Sequence, residues 1–265
     1  MVPLFKSDFS IGKSILTLNS PSSGVASVSI FDLVTTAKLT KLTLVEDSLT
    51  GFLKAQQQCS ELGIQLIFGL RLNICSDLSA EVPKKGDLTQ HKVIIFSRNS
   101  AGCRLLNELY SVAFTEGDGR LDLSTLEKMW SEDNLKLAIP FYDSFIFNNL
   151  LRFKSCLMDF SFCSPLFFLE DNNLPMDLLV QEKVRAYCSQ HNYETSDAKS
   201  IYYSERKDFP AYQTYKCICN RSSFGARVSL DKPNLDHCGS NEFCFESWHK
   251  KTRDKRGSFQ IQRSP

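Results

Sequence analysis

Between residues 42 and 74 the spacing of apolar positions changes twice, and each change marks an element. Residues 42–45 are a short continuous apolar run, which fits a buried strand. From Phe52 the apolar residues recur at Phe52, Ala55, Cys59 and Leu62, one stripe of a 3.6-residue period, with Lys54, Gln57, Gln58 and Glu61 on other faces. A helix is predicted there. Asp47 or Ser48 is its expected N-cap, because a short side-chain oxygen can accept from the first free amides. Gly63 is its stop, since glycine takes the left-handed conformation without a Cβ clash. Ile64, Leu66, Ile67 and Phe68 form a second buried strand before Gly69. Strand, helix and strand predict a βαβ unit with parallel strands and a right-handed crossover.

The same alternation continues along the chain. Residues 1–9 open with a brief apolar segment, and 11–29, rich in Ser, Gly and Thr, read as irregular. Residues 30–37 predict a short helix with Leu33, Val34 and Ala37 inward, and the polar stretch 76–90 predicts a surface excursion. Strands are expected at 92–96, 135–141, 164–170 and 199–203. Helices are expected at 100–116, from Ser124 to 130, from Asp143 as cap to 151, at 177–191, near 211–219 and at 241–250. This is an α/β pattern, equally suited to a barrel and to an open sheet.

Composition narrows the class. The chain has 265 residues, 42% hydrophobic, enough for a packed core. Its formal charge of +1 gives no global field toward nucleic acid or membrane. The basic residues concentrate at the end: Lys250, Lys251, Arg253, Lys255, Arg256 and Arg263 face a single acid, Asp254. Residues 249–265 are therefore expected to be a disordered basic tail, with DNA contact through Lys250, Lys251, Arg253, Lys255 and Arg256 as the functional alternative. No apolar run is long enough to span a membrane, and no secretory leader opens the chain. Ten cysteines scattered through apolar segments fit free thiols in a cytoplasmic protein.

Candidate chemistry is sparse. Gly12-Lys13-Ser14 resembles the end of a phosphate-binding loop, but the glycine required five residues earlier is Ser7. Cys217, Cys219, His237, Cys238 and Cys244 are soft metal ligands, yet two cysteines two apart on a helix face different ways, so structural thiols are expected. Asp8, Glu46, Asp47, Asp143, Glu170 and Asp197 lie near predicted strand ends, where α/β folds place their sites and where helix caps also lie.

Three stretches in order, Ser7-Asp8-Phe9-Ser10, Ser48-Leu49-Thr50-Gly51 and the run GIQLIFGLRL from Gly63 to Leu72, resemble the PHP (polymerase and histidinol phosphatase) domain of bacterial DNA polymerase III alpha subunits. The resemblance continues through Ser97 to Ala113, Asp208 to Tyr212 and Phe243 to Trp248, so it covers about residues 2–248. It implies a distorted (β/α)7 barrel that, in active members, holds a metal cluster and hydrolyses phosphoesters. Where those members carry ligands this chain has Val2, Leu4 and Lys6, then Val45 and Glu46, then Arg71, and later Lys199, Ser200, Tyr202 and Tyr212. Lys6 and Arg71 repel a cation, and Val45 and Leu4 offer no lone pair. The resemblance thus implies a PHP-like pseudoenzyme of residues 1–248 with no metal and no cofactor. It would serve DNA replication beside a replicative DNA polymerase or a proofreading exonuclease. The alternative is a metal-dependent phosphoesterase or 3′–5′ exonuclease with relocated ligands such as Asp8, Glu46, Asp143 and Asp197.

Overall fold

The computed structural model describes residues 1–19, 27–75, 91–151, 156, 158–219 and 237–261, with side chains described to Arg253 in the last helix. The elements begin with β1 (Val2–Phe5), α1 (Ile30–Thr36), β2 (Lys41–Glu46), α2 (Phe52–Glu61), β3 (Gln65–Cys75) and β4 (His91–Ser97). Next come α3 (Ser100–Thr115), β5 (Arg120–Asp122), α4 (Leu123–Lys128), β6 (Leu135–Ile139), α5 (Phe145–Leu151) and β7 (Leu166–Leu169). The chain then forms α6 (Asp177–His191), β8 (Glu194–Ile201), α7 (Phe209–Cys219) and α8 (Phe245–Ile261). The excursion expected at 76–90 lies outside the described residues.

The βαβ unit is as expected: β2 and β3 pair in parallel from Lys41 opposite Gln65 to Glu46 opposite Leu70, and Gly63 turns the chain with φ +66. The pairing order β2-β1-β8-β7-β6-β4-β3 closes on itself through that pair, giving a seven-stranded α/β barrel with β5 appended to β3. Closure removes the open edges of the sheet. Within the ring β4 is antiparallel to both β3 and β6, and every other pairing is parallel. A continuous apolar run carries no strand direction, so the reversal of β4 was not readable from its residues.

Several element ends differ from expectation. Asp47 and Ser48 cap nothing: α2 starts after Gly51 without a side-chain cap, because Asp47 is engaged elsewhere. Asp122, not Ser124, caps α4, its carboxylate accepting from the Thr125 amide at 2.7 Å. At α5 the Ser144 hydroxyl accepts from the Phe147 amide, freeing Asp143 for an ion pair. The helix expected at 241–250 begins at Phe245 and runs to Ile261, so the boundary drawn at residue 249 falls inside a helix. No helix among the described residues is long and apolar enough to cross a membrane.

Alternation along the strands produces two cores. Leu4, Val45, Ile94, Phe96, Phe168 and Ala198 fill the barrel interior. Their neighbours of opposite parity, among them Phe5, Leu44, Phe68, Ile95, Leu137 and Ile201, pack outward against the helices. Gly69 belongs to the interior: a Cβ there would lie 2.6 Å from the Phe96 ring and 2.9 Å from Ile94. Its lack of a side chain is what lets Phe96 occupy the barrel axis. Gly69→Ala is expected to destabilise the chain by about 1–3 kcal/mol through overpacking, read as a lower urea midpoint. The double variant with Phe96→Leu should recover part of that loss, and no recovery would locate the strain in the backbone instead.

Candidate functional site

The carboxyl ends of the barrel strands carry the charged side chains. Lys6 follows Leu4 by two residues and Asp47 follows Val45 by two, so both continue the inward parity of the apolar interior. They meet there, Lys6 Nζ to Asp47 Oδ1 at 2.8 Å. Arg71, two residues beyond Gly69 on β3, donates to Asp143 Oδ2 at 2.7 Å from the turn after β6. Both cations are buried, with side chains 4% and 8% exposed, which makes these pairs part of the interior and not surface decoration.

Asp47 and Arg71 are shifted toward their ionised forms, whereas burial shifts Lys6 and Lys92 toward the neutral form. Burial alone would raise Asp47, but Lys6, Arg71 and Lys92 together hold it well below the usual carboxylate range. Burial opposes the charge on Arg71, and Asp47 and Asp143 outweigh it, so its pKa is raised. Lys6 is lowered, chiefly by burial, with Asp47 opposing and Arg71 adding to the effect. Lys92, on the inward face of β4 and anchored through its amide to the Asp143 carbonyl at 2.9 Å, is pushed down to about 7 by burial and then by Arg71.

The other side of the mouth is polar but closed. Glu170, at the end of β7, accepts from the Ser200 amide and hydroxyl, both at 2.8 Å, and from Asn172 at 3.0 Å. Burial raises its pKa against those bonds. Asn172 also donates to the Tyr142 hydroxyl, which in turn donates to Asp177 at 2.9 Å. Above them His237 sits edge-on to Tyr202 and against Phe243, with ring centroids 4.9 and 5.0 Å away, while Tyr202 stacks on Tyr212 at 5.8 Å. Burial first, and then Lys216, holds His237 well below its ordinary pKa, so it is neutral near pH 7. The cavity that remains between Lys6, Arg71, Glu170, Ser200, Tyr202 and His237 is about 20 Å³, room for one water molecule.

Chemically the mouth offers fixed donors and cations, and the aligned positions divide by strand parity. Val2, Leu4 and Val45 belong to the apolar interior or pack against it. Glu46 points the other way, outside the wall, where it accepts from the Ser7 amide at 2.9 Å and from the Ser10 hydroxyl and so fixes the turn after β1. Lys199 also faces outward, fully buried, against Glu242 at 3.7 Å and the Asp171 carbonyl. Of the four acids considered as relocated ligands, Asp143 is paired with Arg71, Glu46 is behind the wall, and Asp8 and Asp197 are exposed. They do not converge. Among the described residues no three His, Cys, Asp or Glu side chains are placed to hold a metal ion, the Cys217–Cys244 group included. None of the ten cysteines is in a disulfide. In the basic segment Lys251 bonds Asp171 at 3.2 Å, Lys250 and Arg253 are exposed, and the side chains of Lys255 and Arg256 lie outside the described set.

No protein-family model and no curated protein matches the chain. The site is therefore interpreted on its geometry. Lys13, Lys92, Lys216 and His237 were not singled out as one group by their sequence positions, which span more than half the chain. The usable signal was parity: Lys92 shares the inward face with Ile94 and Phe96.

Asp47→Asn would leave Lys6, Arg71 and Lys92 facing one carboxylate fewer. The Asp47 side chain is 26% exposed, so solvent reduces the expected loss to about 1–2 kcal/mol, below the ~3–5 of a fully buried pair. Its folded-state pKa lies below the unfolded value of ~3.9, so its stabilisation is complete above that value and is lost as pH falls through the folded pKa. Urea unfolding at pH 7 and at steps below pH 4 should show the parent chain losing stability faster with acid than the Asn variant.

Proposed function

We propose that the chain is a PHP-like barrel, a distorted (β/α)7 form, that works without a metal as a structural or interaction module of DNA replication, in contact with a replicative DNA polymerase or its proofreading exonuclease. The observation that carries this reading is the pair of buried cations at the mouth. Lys6 and Arg71 stand where the resemblance places metal ligands, and each is already neutralised by a carboxylate, Asp47 or Asp143. A divalent ion entering there would displace two ion pairs and face two fixed positive charges. The seven-stranded closure and the retained turns at Gly51 and Gly63 support the fold half of the reading. The partner half rests on the ordered resemblance across residues 2–248.

Two measurements test it. Purified chain is expected to bind the polymerase or exonuclease of its source organism with a Kd of about 1 μM or tighter by calorimetry, and no binding to either at that concentration would remove the partner. Added Zn²⁺ or Mn²⁺ should leave the melting temperature unchanged. Stabilisation that rises with metal concentration, together with hydrolysis of a generic phosphodiester, would return the chain to the phosphoesterase class.

A further inference from the structure

His237 stoppers the mouth, and its surroundings fit the neutral ring. It lines the cavity together with Arg71, Tyr142, Glu170, Ser200 and Tyr202. Its imidazole lies among three rings, with centroids 4.9 Å away at Tyr202, 5.0 Å at Phe243 and 5.6 Å at Tyr142, and is only partly open to solvent. Charged groups reach it from several elements. Lys216 of α7, Arg71 of β3 and Lys13 of the loop after β1 act against its protonation, and Asp143 of the turn after β6 acts for it. Lys6 and Glu170 line the same cavity. Asp143 is already paired with Arg71, and Glu170 is bonded to Ser200 and Asn172. Ring faces attract a cation, but the loss of water and the neighbouring cations oppose one here more strongly.

The segment that carries His237 is held differently on the two sides of Asn241. Residues 237–240 are tied to the barrel by side chains: Gln213 Nε2 donates to the Cys238 carbonyl at 3.1 Å, and the Tyr203 hydroxyl to the Ser240 carbonyl at 3.4 Å. From Glu242 onward the attachment is stronger. Arg206 and Lys199 grip the Glu242 carboxylate at 2.9 and 3.7 Å. The Tyr202 amide donates to the Phe243 carbonyl and the Phe245 amide to the Tyr203 carbonyl, both at 3.0 Å. Exposed Asn241 lies between the two parts. Neutral side-chain bonds yield before charge-assisted bonds do, so residues 237–240 can lift while the chain from Glu242 stays in place.

We propose that residues 237–240 are an acid-released lid on the barrel mouth, with protonation of His237 as the trigger. In the closed lid the imidazole is neutral and packed on the rings. In the lifted lid it takes a proton in water, and Arg71, Ser200 and Tyr202 become accessible. Closed, His237 is held well below the ~6.5 of a free histidine. A base lowered in this way stabilises the closed form fully above ~6.5 and loses that contribution as pH falls toward its closed-form value. Each pH unit in that window shifts the balance about tenfold toward the lifted form. This inference rests on the geometry of the mouth and needs no polymerase partner.

Cys238, buried inside the lid at 6% exposure, reports the opening. The full chain is labelled with a dipyridyl disulfide, which reacts with thiols in acid as well as at neutral pH, in steps from about pH 7.5 to about pH 5 across the histidine range. Sites are read by mass spectrometry, and rates are normalised to the urea-unfolded chain at the same pH. Normalised Cys238 labelling is expected to rise about tenfold per pH unit below ~6.5, while Cys59, 1% exposed on the inner face of α2, stays protected. His237→Phe, an uncharged ring for the same pocket, should keep Cys238 protected throughout. A pH dependence retained in that variant assigns the effect to Glu170, raised by burial, or to Lys92, pushed down to about 7, and overturns the proposal. Constant Cys238 labelling overturns it too, as does exposure of Cys238 and Cys59 together, which is global acid unfolding. If the Phe variant does not fold, as judged by circular dichroism, NMR titration of the parent His237 ring decides. A ring that titrates below ~6.5 in step with Cys238 labelling supports the lid, and any other course refutes it. Partner binding and the response to metal are separate measurements, so failure here leaves the proposed function standing.

Discussion

Two cations held at the end of an apolar barrel set the terms for the rest of this molecule. Below Lys6 and Arg71 the interior is Leu4, Val45, Ile94, Phe96 and Phe168, which offers no compensation for charge. Desolvation of each cation is unfavourable, so the fold must deliver a carboxylate to each. It does so from separate elements: Asp47 lies 41 residues from Lys6, and Asp143 lies 72 residues from Arg71. The end of β2, the turn after β6 and the starts of α2 and α5 are arranged around that delivery. Residues suited to capping are used for ion pairing, and the caps fall to Gly51 and Ser144.

The walls show the same economy of sidedness. At the end of β2 the inward Asp47, just past the strand, pairs with Lys6, while the outward Glu46 ties down the turn at Ser7 and Ser10. On β8 the inward Ser200 bonds Glu170, while the outward Lys199 is matched by Glu242. Adjacent residues therefore serve different compartments, one the mouth and one the layer beneath the helices. The aromatic group of Tyr202, Tyr212, Phe243 and His237 closes the mouth on the side of α7 and keeps the histidine neutral by burying it.

Where the hydrophobic pattern was long and regular, the sequence was legible to the residue. The helix expected at 177–191 is α6, Asp177–His191, because Val180, Val184 and Cys188 recur on one buried stripe and Asn192 stops it in the left-handed region. The parallel β2–α2–β3 unit was equally clear. Legibility failed where one residue type serves two purposes. Asp47, Asp143 and Ser124 all looked like caps, and only the packed structure separated the ion-pairing aspartates from the true caps. The direction of β4 and the three-residue β5 had no periodic signal at all.

The sequence by itself determined an α/β chain, the position of its helices and most of its strands, and the charged character of Lys6 and Arg71. Local periodicity and residue chemistry suffice for those. Tertiary structure decided the closure of seven strands into a ring, the reversal of β4, and the meeting of Lys6 with Asp47 and of Arg71 with Asp143 at one mouth. These depend on pairings between residues far apart in the chain, and on which of two faces each strand residue presents, neither of which a local pattern encodes.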